Sequence, residues 1–199
     1  MRQLSICDVA PVPWRNGGGL TRELLAWPSP QDWRCRLSVA DIAGDGPFSA
    51  FPGVVRHFVV LEGDGVGLDF ADRRIEQRPG DAPRVFDGAA APDCRLLGGP
   101  VRDLNLMSRG GRGTLQAITG AWQPPRHGLA GLFTRVSGTW RAGAETRALP
   151  AQTLLWATPA DHAAEDKPWT FTPDTPTAQP GWWFSHGSIH EPTHEICDA

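Results

Sequence analysis

Two stretches of this sequence alternate in a way that could gather chemistry on one surface. In Arg36-Leu37-Ser38-Val39-Ala40, a strand would put Arg36, Ser38 and Ala40 on one face and Leu37 and Val39 on the other. In Asp103-Leu104-Asn105-Leu106-Met107, Asp103, Asn105 and Met107 share a face opposite Leu104 and Leu106. A half-buried sheet would turn the polar faces to water and the aliphatic faces to a core. Against that, a solvated face usually carries Lys, Glu and Thr. The sets Arg/Ser/Ala and Asp/Asn/Met are compact and mixed, which suits a pocket wall with a few fixed polar groups. Both readings stand on the residues alone. If the pocket reading holds, its chemistry is recognition, because a guanidinium is built for the bidentate grip of a carboxylate.

Other chemistries find little support. Gly63-Asp64-Gly65-Val66-Gly67 has glycines at alternate positions but continues as a strand, so it reads as a turn and not as a dinucleotide site. Gly17-Gly18-Gly19 lacks the Gly-Lys-Ser/Thr of a phosphate loop, and no Gly-x-Ser-x-Gly nucleophile turn occurs. A β-barrel metal site typically needs His-x-His with a nearby Glu, and this chain has no His-x-His. His57 and Glu62 alone are too few ligands. His186, His190, His194 and Cys197 are spaced four, four and three, but Gly187 and Pro192 interrupt the helix that would align them, so a solvated chain end is expected. No cofactor and no metal are expected.

The elements that must position these residues are short strands. Thr21 to Trp27, Arg36 to Ile42, Arg56 to Leu61, Val66 to Phe70, Val85-Phe86, Arg95 to Leu97 and Asp103 to Met107 read as strands. Gly63-Asp64-Gly65 reads as the turn of a hairpin whose return strand is Val66 to Phe70. Leu132 to Val136, Ser137-Gly138-Thr139 and the strand through Trp140 echo that unit in shorter form. Residues 157 to 181 hold five prolines and are expected to be mostly loop. With 23 glycines and 19 prolines in 199 residues, little room is left for long helices, and an all-β sandwich or barrel follows. Arg109-Gly110-Gly111-Arg112-Gly113 is the natural boundary, dividing the chain into residues 1–108 and 109–199.

Composition narrows the partners. A net charge of −3 argues against nucleic acid or an anionic membrane surface, and no apolar run approaches the ~18 residues of a membrane helix. Four cysteines without a Cys-x-x-Cys pair are expected as free thiols in the cytoplasm. The cations are eighteen arginines and one lysine, Lys167, a bias that a GC-rich coding sequence explains in large part. Tyrosine is absent, which weakens any sugar-epimerase mechanism built on a His base and a Tyr acid.

Several blocks, in order, resemble the HutD/Ves family. They are Pro13-Trp14-Arg15-Asn16-Gly17-Gly18-Gly19-Leu20-Thr21-Arg22-Glu23, Arg36-Leu37-Ser38-Val39-Ala40, Gly46-Pro47-Phe48-Ser49, Phe51-Pro52-Gly53 with Arg56, Leu61-Glu62-Gly63, and Asp103 through Arg109. The matches lie between positions 13 and 109, with a weaker echo at Gly138 to Trp140. Departures are few. Cys35 stands where the family usually has Trp, with Trp33 two residues earlier expected on the same face. Leu104 replaces a frequent aromatic, and His57 is given no role. The resemblance implies a cupin-type, RmlC-like jelly-roll β-sandwich, as a bicupin with a sandwich in each half. It also implies an association with histidine utilisation, usually pictured as binding a pathway intermediate such as urocanate or a formylated glutamate to restrain flux.

The expected role is therefore a non-catalytic small-molecule binder whose partner is a small carboxylate metabolite. A metal-free cupin isomerase, epimerase or hydrolase is the alternative, and a protein-interaction module without a small ligand is a third. A homodimer is left open. The candidate ligand-binding residues are Trp14, Asn16, Glu23, Arg36, Ser38, Phe51, Arg56, Asp103, Asn105 and Met107. If Arg36 and Arg56 both point inward, Glu23 and Asp103 can neutralise one and leave the other for a carboxylate. Asn16 and Asn105 are candidates to read an imidazole or amide, and Trp14 or Phe51 to cover a planar ring. The competing reading is that Arg36 and Arg56 only pair with Glu23, Glu62 or Asp103 to hold the sheet.

Overall fold

The structure is a computed structural model that describes residues 1–110, 112–161 and 167–187. Among the described residues there are eighteen strands and three short 3-10 turns. The strands are β1 Arg2–Ser5, β2 Val12–Pro13, β3 Gly19–Trp27, β4 Cys35–Ile42, β5 Gly46–Pro47, β6 Val54–Glu62, β7 Val66–Asp69, β8 Arg74–Gln77 and β9 Arg84–Asp87. They continue with β10 Asp93–Leu96, β11 Val101–Arg109, β12 Gly113–Ala117, β13 Gly128–Thr134, β14 Gly138–Ala142, β15 Glu145–Leu149, β16 Thr153–Ala157, β17 Trp169–Pro173 and β18 Gly181–Gly187. They form four antiparallel sheets, ordered β2-β3-β4-β11-β6-β9, β5-β10-β7-β8, β1-β16-β13-β18-β12 and β15-β14-β17.

Side-chain packing stacks these sheets into two sandwiches set back to back. One face of the six-stranded sheet, through Ile42, Phe58, Val60 and Val101, meets Val66, Leu68 and Cys94 of the four-stranded sheet. Its other face, through Leu37, Val39, Val59, Leu61, Leu104 and Leu106, meets Leu129, Phe133, Leu154, Trp182 and Phe184 of the five-stranded sheet. The far face of that sheet closes on the three-stranded one around Leu132, Leu155, Trp140, Trp169, Phe171 and Trp183. Both faces of the central six-stranded sheet are thus covered. The reading that the polar faces of β4 and β11 look into water is overturned, because a second sheet sits over them.

Several sequence-level expectations need correction. The Gly63–Gly65 turn does not close a hairpin: β6 lies in the six-stranded sheet and β7 in the four-stranded one. The turn is a corner, and its glycines are the only residues that fit. Gly63 and Gly65 have φ +94 and +105, and a Cβ would stand 2.6 Å from the Pro100 and Gln77 carbonyl oxygens respectively. The echo at Ser137 to Thr139 makes the same crossing, from β13 to β14. The proline-rich stretch after residue 157 still supplies β17, whose Trp169 and Phe171 alternate into the second core. The chain also opens with a strand no pattern announced: β1 pairs with β16 in the five-stranded sheet. Trp33 is not on the Cys35 face. It precedes the strand, where alternation does not apply, and packs with Val54, Met107 and Phe51.

The inter-sandwich packing leaves no room for added atoms at Gly131. A Cβ there would lie 2.4 Å from both the Leu155 carbonyl oxygen and the Phe184 ring. Gly131→Ala is expected to cost about 1–3 kcal/mol by overpacking. The check is a lower urea midpoint at unchanged slope, and a wild-type midpoint would contradict it.

Candidate functional site

The inner face of the six-stranded sheet is where chemistry collects, and register decides which side chains meet there. Asn105 sits between Ser38 and Phe58, Met107 between Arg36 and Arg56, and Asp103 between Ala40 and Val60. Glu23 joins through a bulge. It pairs with Ser38 on the inner face, while Leu25, two residues on, pairs with Leu37 on the outer face. A regular strand would keep Glu23 and Leu25 on one side; the extra residue Leu24 lets the carboxylate face in and the leucine enter the core.

These side chains line a cavity of about 720 Å³ between the sheets of the first sandwich. All ten residues singled out from the sequence lie in its wall: Trp14, Asn16, Glu23, Arg36, Ser38, Phe51, Arg56, Asp103, Asn105 and Met107. Sequence reasoning passed over Thr21 and Phe48, which also line it. Thr21 has the inward parity of Glu23, and its Oγ1 accepts a 2.7 Å hydrogen bond from the Trp14 indole N–H, fixing that ring at the rim. Phe48 stands in the Gly46-Pro47-Phe48-Ser49 block, where no alternation marked it.

The two inward arginines are in different states. Arg36 is partly exposed and its Nε lies 2.6 Å from Glu23 Oε2. That contact is an ion pair without an aligned hydrogen bond, since Arg36 Nε has no hydrogen-bond partner. Arg56 is 4% exposed. Its carbon Cζ lies 4.6 Å from the centre of the Phe48 ring and 5.2 Å from that of Phe86, so aromatic faces carry part of its charge. Nη2 donates a 2.7 Å hydrogen bond to Asn105 Oδ1, and the Asn105 amide in turn donates to Asp103 Oδ1. No carboxylate touches Arg56 directly. Nε is sealed without a partner, and Nη1 is the remaining nitrogen.

The electrostatics follow from burial. Desolvation pushes the Asp103 carboxyl up to about 8, against the pull of Arg56. It pushes Arg56 down to about 10, against the pull of Asp103, which still leaves the guanidinium charged at neutral pH. At pH 7 the pair is therefore a cation beside a mostly neutral acid, and Arg56 is a buried positive charge in the wall that no described anion contacts, while Arg15, also in the lining, is exposed. The relay gives Asn105 a role inside the protein: one bond at each end of its amide positions Arg56, and a second N–H and a second lone pair remain. Asn16 keeps more freedom: its Oδ1 accepts from the Gly18 N–H, and its Nδ2 has no such bond.

The donor set does not suit a metal. The cavity wall holds no histidine or cysteine and carries arginines where a cation would sit. Among the described residues no cluster of three His, Cys, Asp or Glu could hold an ion. His57 faces away from the cavity, under the second sandwich, where burial pushes its imidazole below the usual range. Of the tail histidines only His186 is described; His190, His194 and Cys197 lie outside the described residues. Elemental analysis of the purified protein is expected to show no stoichiometric iron, manganese or zinc, and about one ion per chain would contradict this.

A jelly-roll of antiparallel sheets around a cavity lined by apolar side chains and a few charged ones makes this an all-β protein of the cupin type. The chain belongs to the HutD family, whose model, described as HutD, matches residues 7–171. It is 40% identical over 104 residues to an uncharacterized 21.2 kDa protein in the hutC 3′ region of Pseudomonas putida, covering 50% of this chain and 54% of that one. It is 34% identical over 140 residues to Protein Ves of Citrobacter koseri, covering 58% and 73%. The chain thus spans about half the length of the Pseudomonas putida relative. Among solved structures, HutD from Pseudomonas fluorescens SBW25 in a formate condition superposes with a TM-score of 0.77 at 25% identity, over 94% of this chain and 97% of that one. Bacillus subtilis oxalate decarboxylase OxdC matches at TM-score 0.60 and 7% identity, over 93% of this chain and 76% of that one, a likeness of fold alone. Among the described residues no helix is long and apolar enough to cross a membrane.

Proposed function

We propose that this protein binds a small carboxylate metabolite in the cavity of its first sandwich and does not transform it. The observation that carries the reading is Arg56, a buried cation in the cavity wall that no carboxylate contacts. A buried, uncompensated guanidinium costs several kcal/mol, and an arriving carboxylate offsets that cost while gaining a charge-assisted bond. Glu23 engages Arg36 and leaves Arg56 as the anchor. Trp14 and Phe51 at the rim offer apolar faces to the rest of the ligand.

Family membership supports a role in histidine utilisation, with the bound species regulating flux. Urocanate suits the site best, having one carboxylate, a conjugated chain and a planar imidazole. A formylated glutamate matches the charge but not the ring. An isomerase or hydrolase would need a group that moves protons, and Asp103, with its raised proton affinity, is the candidate. Its geometry argues against that use: Oδ1 accepts from Asn105 and Oδ2 is sealed from the cavity.

A thermal-shift screen of histidine-pathway intermediates tests the reading. A ligand present at a hundred times its dissociation constant should stabilise the fold by about 2.7 kcal/mol. The expected result is a shift with urocanate or another pathway carboxylate and none with uncharged analogues. Equal shifts with the uncharged analogues would overturn the carboxylate anchor.

A further inference from the structure

A second cavity, of about 300 Å³, opens where the two sandwiches meet and shares no lining residue with the first. Its wall is Trp27, Asp32, Trp33, Arg34, Arg109, Gly110, His186 and Gly187. We propose that this junction cavity is a second binding site, which takes the oxyanion group, carboxylate or phosphate, of a small metabolite between Arg34 and Arg109.

The argument begins with register. Ser108 pairs with Cys35, and the Arg109 N–H donates a 2.8 Å hydrogen bond to the Arg34 carbonyl. Arg34 and Arg109 therefore stand beside each other at the end of the ladder, and both line the cavity. Two like charges in that relation repel, and the pair destabilises the sheet unless an anion lies between them. Among the described residues neither arginine forms an ion pair, and Asp32, though it lines the same cavity, pairs with neither.

Arg109 is also held in place. The Arg109 guanidinium carbon lies over the Trp33 ring, 4.2 Å from its centre, and Trp33 is itself buried. An indole takes up none of the guanidinium's N–H donors as an acceptor oxygen would, which keeps them for a planar or tetrahedral oxyanion. The backbone beneath is fixed from the other sandwich. A carbonyl can only accept, so His186 Nε2–H donates to the Arg109 carbonyl at 3.1 Å, and the His186 ring packs on Trp27 at 5.8 Å. Two guanidiniums without an ion-pair partner among the described residues, one of them over a buried indole, line a recess large enough for a small metabolite and form a clamp for a negative group. Trp33 packs in turn on Met107 and Phe51, which line the first cavity, so the two sites share one wall.

The test is calorimetric titration of the intact chain with sodium phosphate and with sodium acetate, at about 0.15 M NaCl to suppress diffuse screening effects. It is run on wild type and on Arg34→Ala, Arg109→Ala, Arg109→Lys and Arg56→Met. Saturable binding of at least one probe is expected, weakened about tenfold or more by either alanine variant and partly restored by the lysine. It should survive in Arg56→Met, which removes the anchor of the first cavity only. A preference for phosphate would assign a phosphorylated metabolite, and a preference for acetate a carboxylate. Arg34 and Arg109 are exposed, so both alanine variants are expected to fold. No saturable binding of either probe below about 10 mM would overturn the site, as would binding that both alanine variants leave unchanged. Failure of the first-cavity reading is separate: it would show as pathway-carboxylate binding unaffected by Arg56→Met.

Discussion

Replacing Arg56 with methionine is expected to weaken carboxylate binding by about 30- to 150-fold, the loss of one charge-assisted bidentate contact worth roughly 2–3 kcal/mol. The protein should stay folded. Methionine approximates the length of the arginine stem and can lie against Phe48 and Phe86, where the guanidinium now sits. Removing the cation does not strand a buried anion, because burial already holds Asp103 mostly protonated at neutral pH and loss of Arg56 raises its proton affinity further. The substitution exchanges a desolvated charge for an apolar group, a change that is often neutral or stabilising. Calorimetric titration with urocanate, after circular dichroism has shown wild-type structure, measures the effect. Wild-type affinity in a folded Arg56→Met protein would show that Arg56 is not the anchor.

The second large effect is one of pH, and Asp103→Asn isolates it. In the unfolded chain Asp103 titrates near 3.8 and in the folded protein near 8. Between those values the folded state holds a proton that the unfolded state has released. Stability from this group is complete below the lower value and is lost as pH rises through the upper one. The wild type should therefore lose on the order of 5 kcal/mol between about pH 4 and pH 8 relative to Asp103→Asn, which keeps the acceptor for Asn105 and has nothing to titrate. Ligand affinity should follow the same group. Above pH 8 the ionised Asp103 neutralises Arg56, and carboxylate binding weakens in wild type but not in the asparagine variant. The other groups facing the pair do not reproduce this. Glu23 already engages Arg36, and burial pushes the Cys94 thiol up to about 12. Denaturant midpoints across pH for the two proteins decide the matter, and identical slopes would contradict the assignment.

Much of the site was legible because strand alternation is geometric. Once Arg36 to Ile42 and Asp103 to Met107 are strands, Arg36, Ser38, Asp103, Asn105 and Met107 must fall into two aligned rows. The alternation does not tell what covers those rows, and a solvated face and a cavity wall read alike until a second sheet is placed over them. Glu23 reaches the site only through the bulge at Leu24, which no local pattern marks. Sheet assignment was the other blind spot. A Gly-Asp-Gly between two strands reads as a hairpin, and only close approach to Pro100 and Gln77, remote in sequence, makes it a corner between sheets. The role of Asn105 was equally out of reach, because both its amide bonds depend on side chains brought together by the fold.

The most direct test of the central claim is calorimetric titration of the wild-type protein with urocanate and with formylated glutamate near pH 7. The account predicts saturable binding of at least one of them, one molecule per chain, weakening as pH rises past 8. Absence of binding by every pathway carboxylate at about millimolar concentration would contradict it.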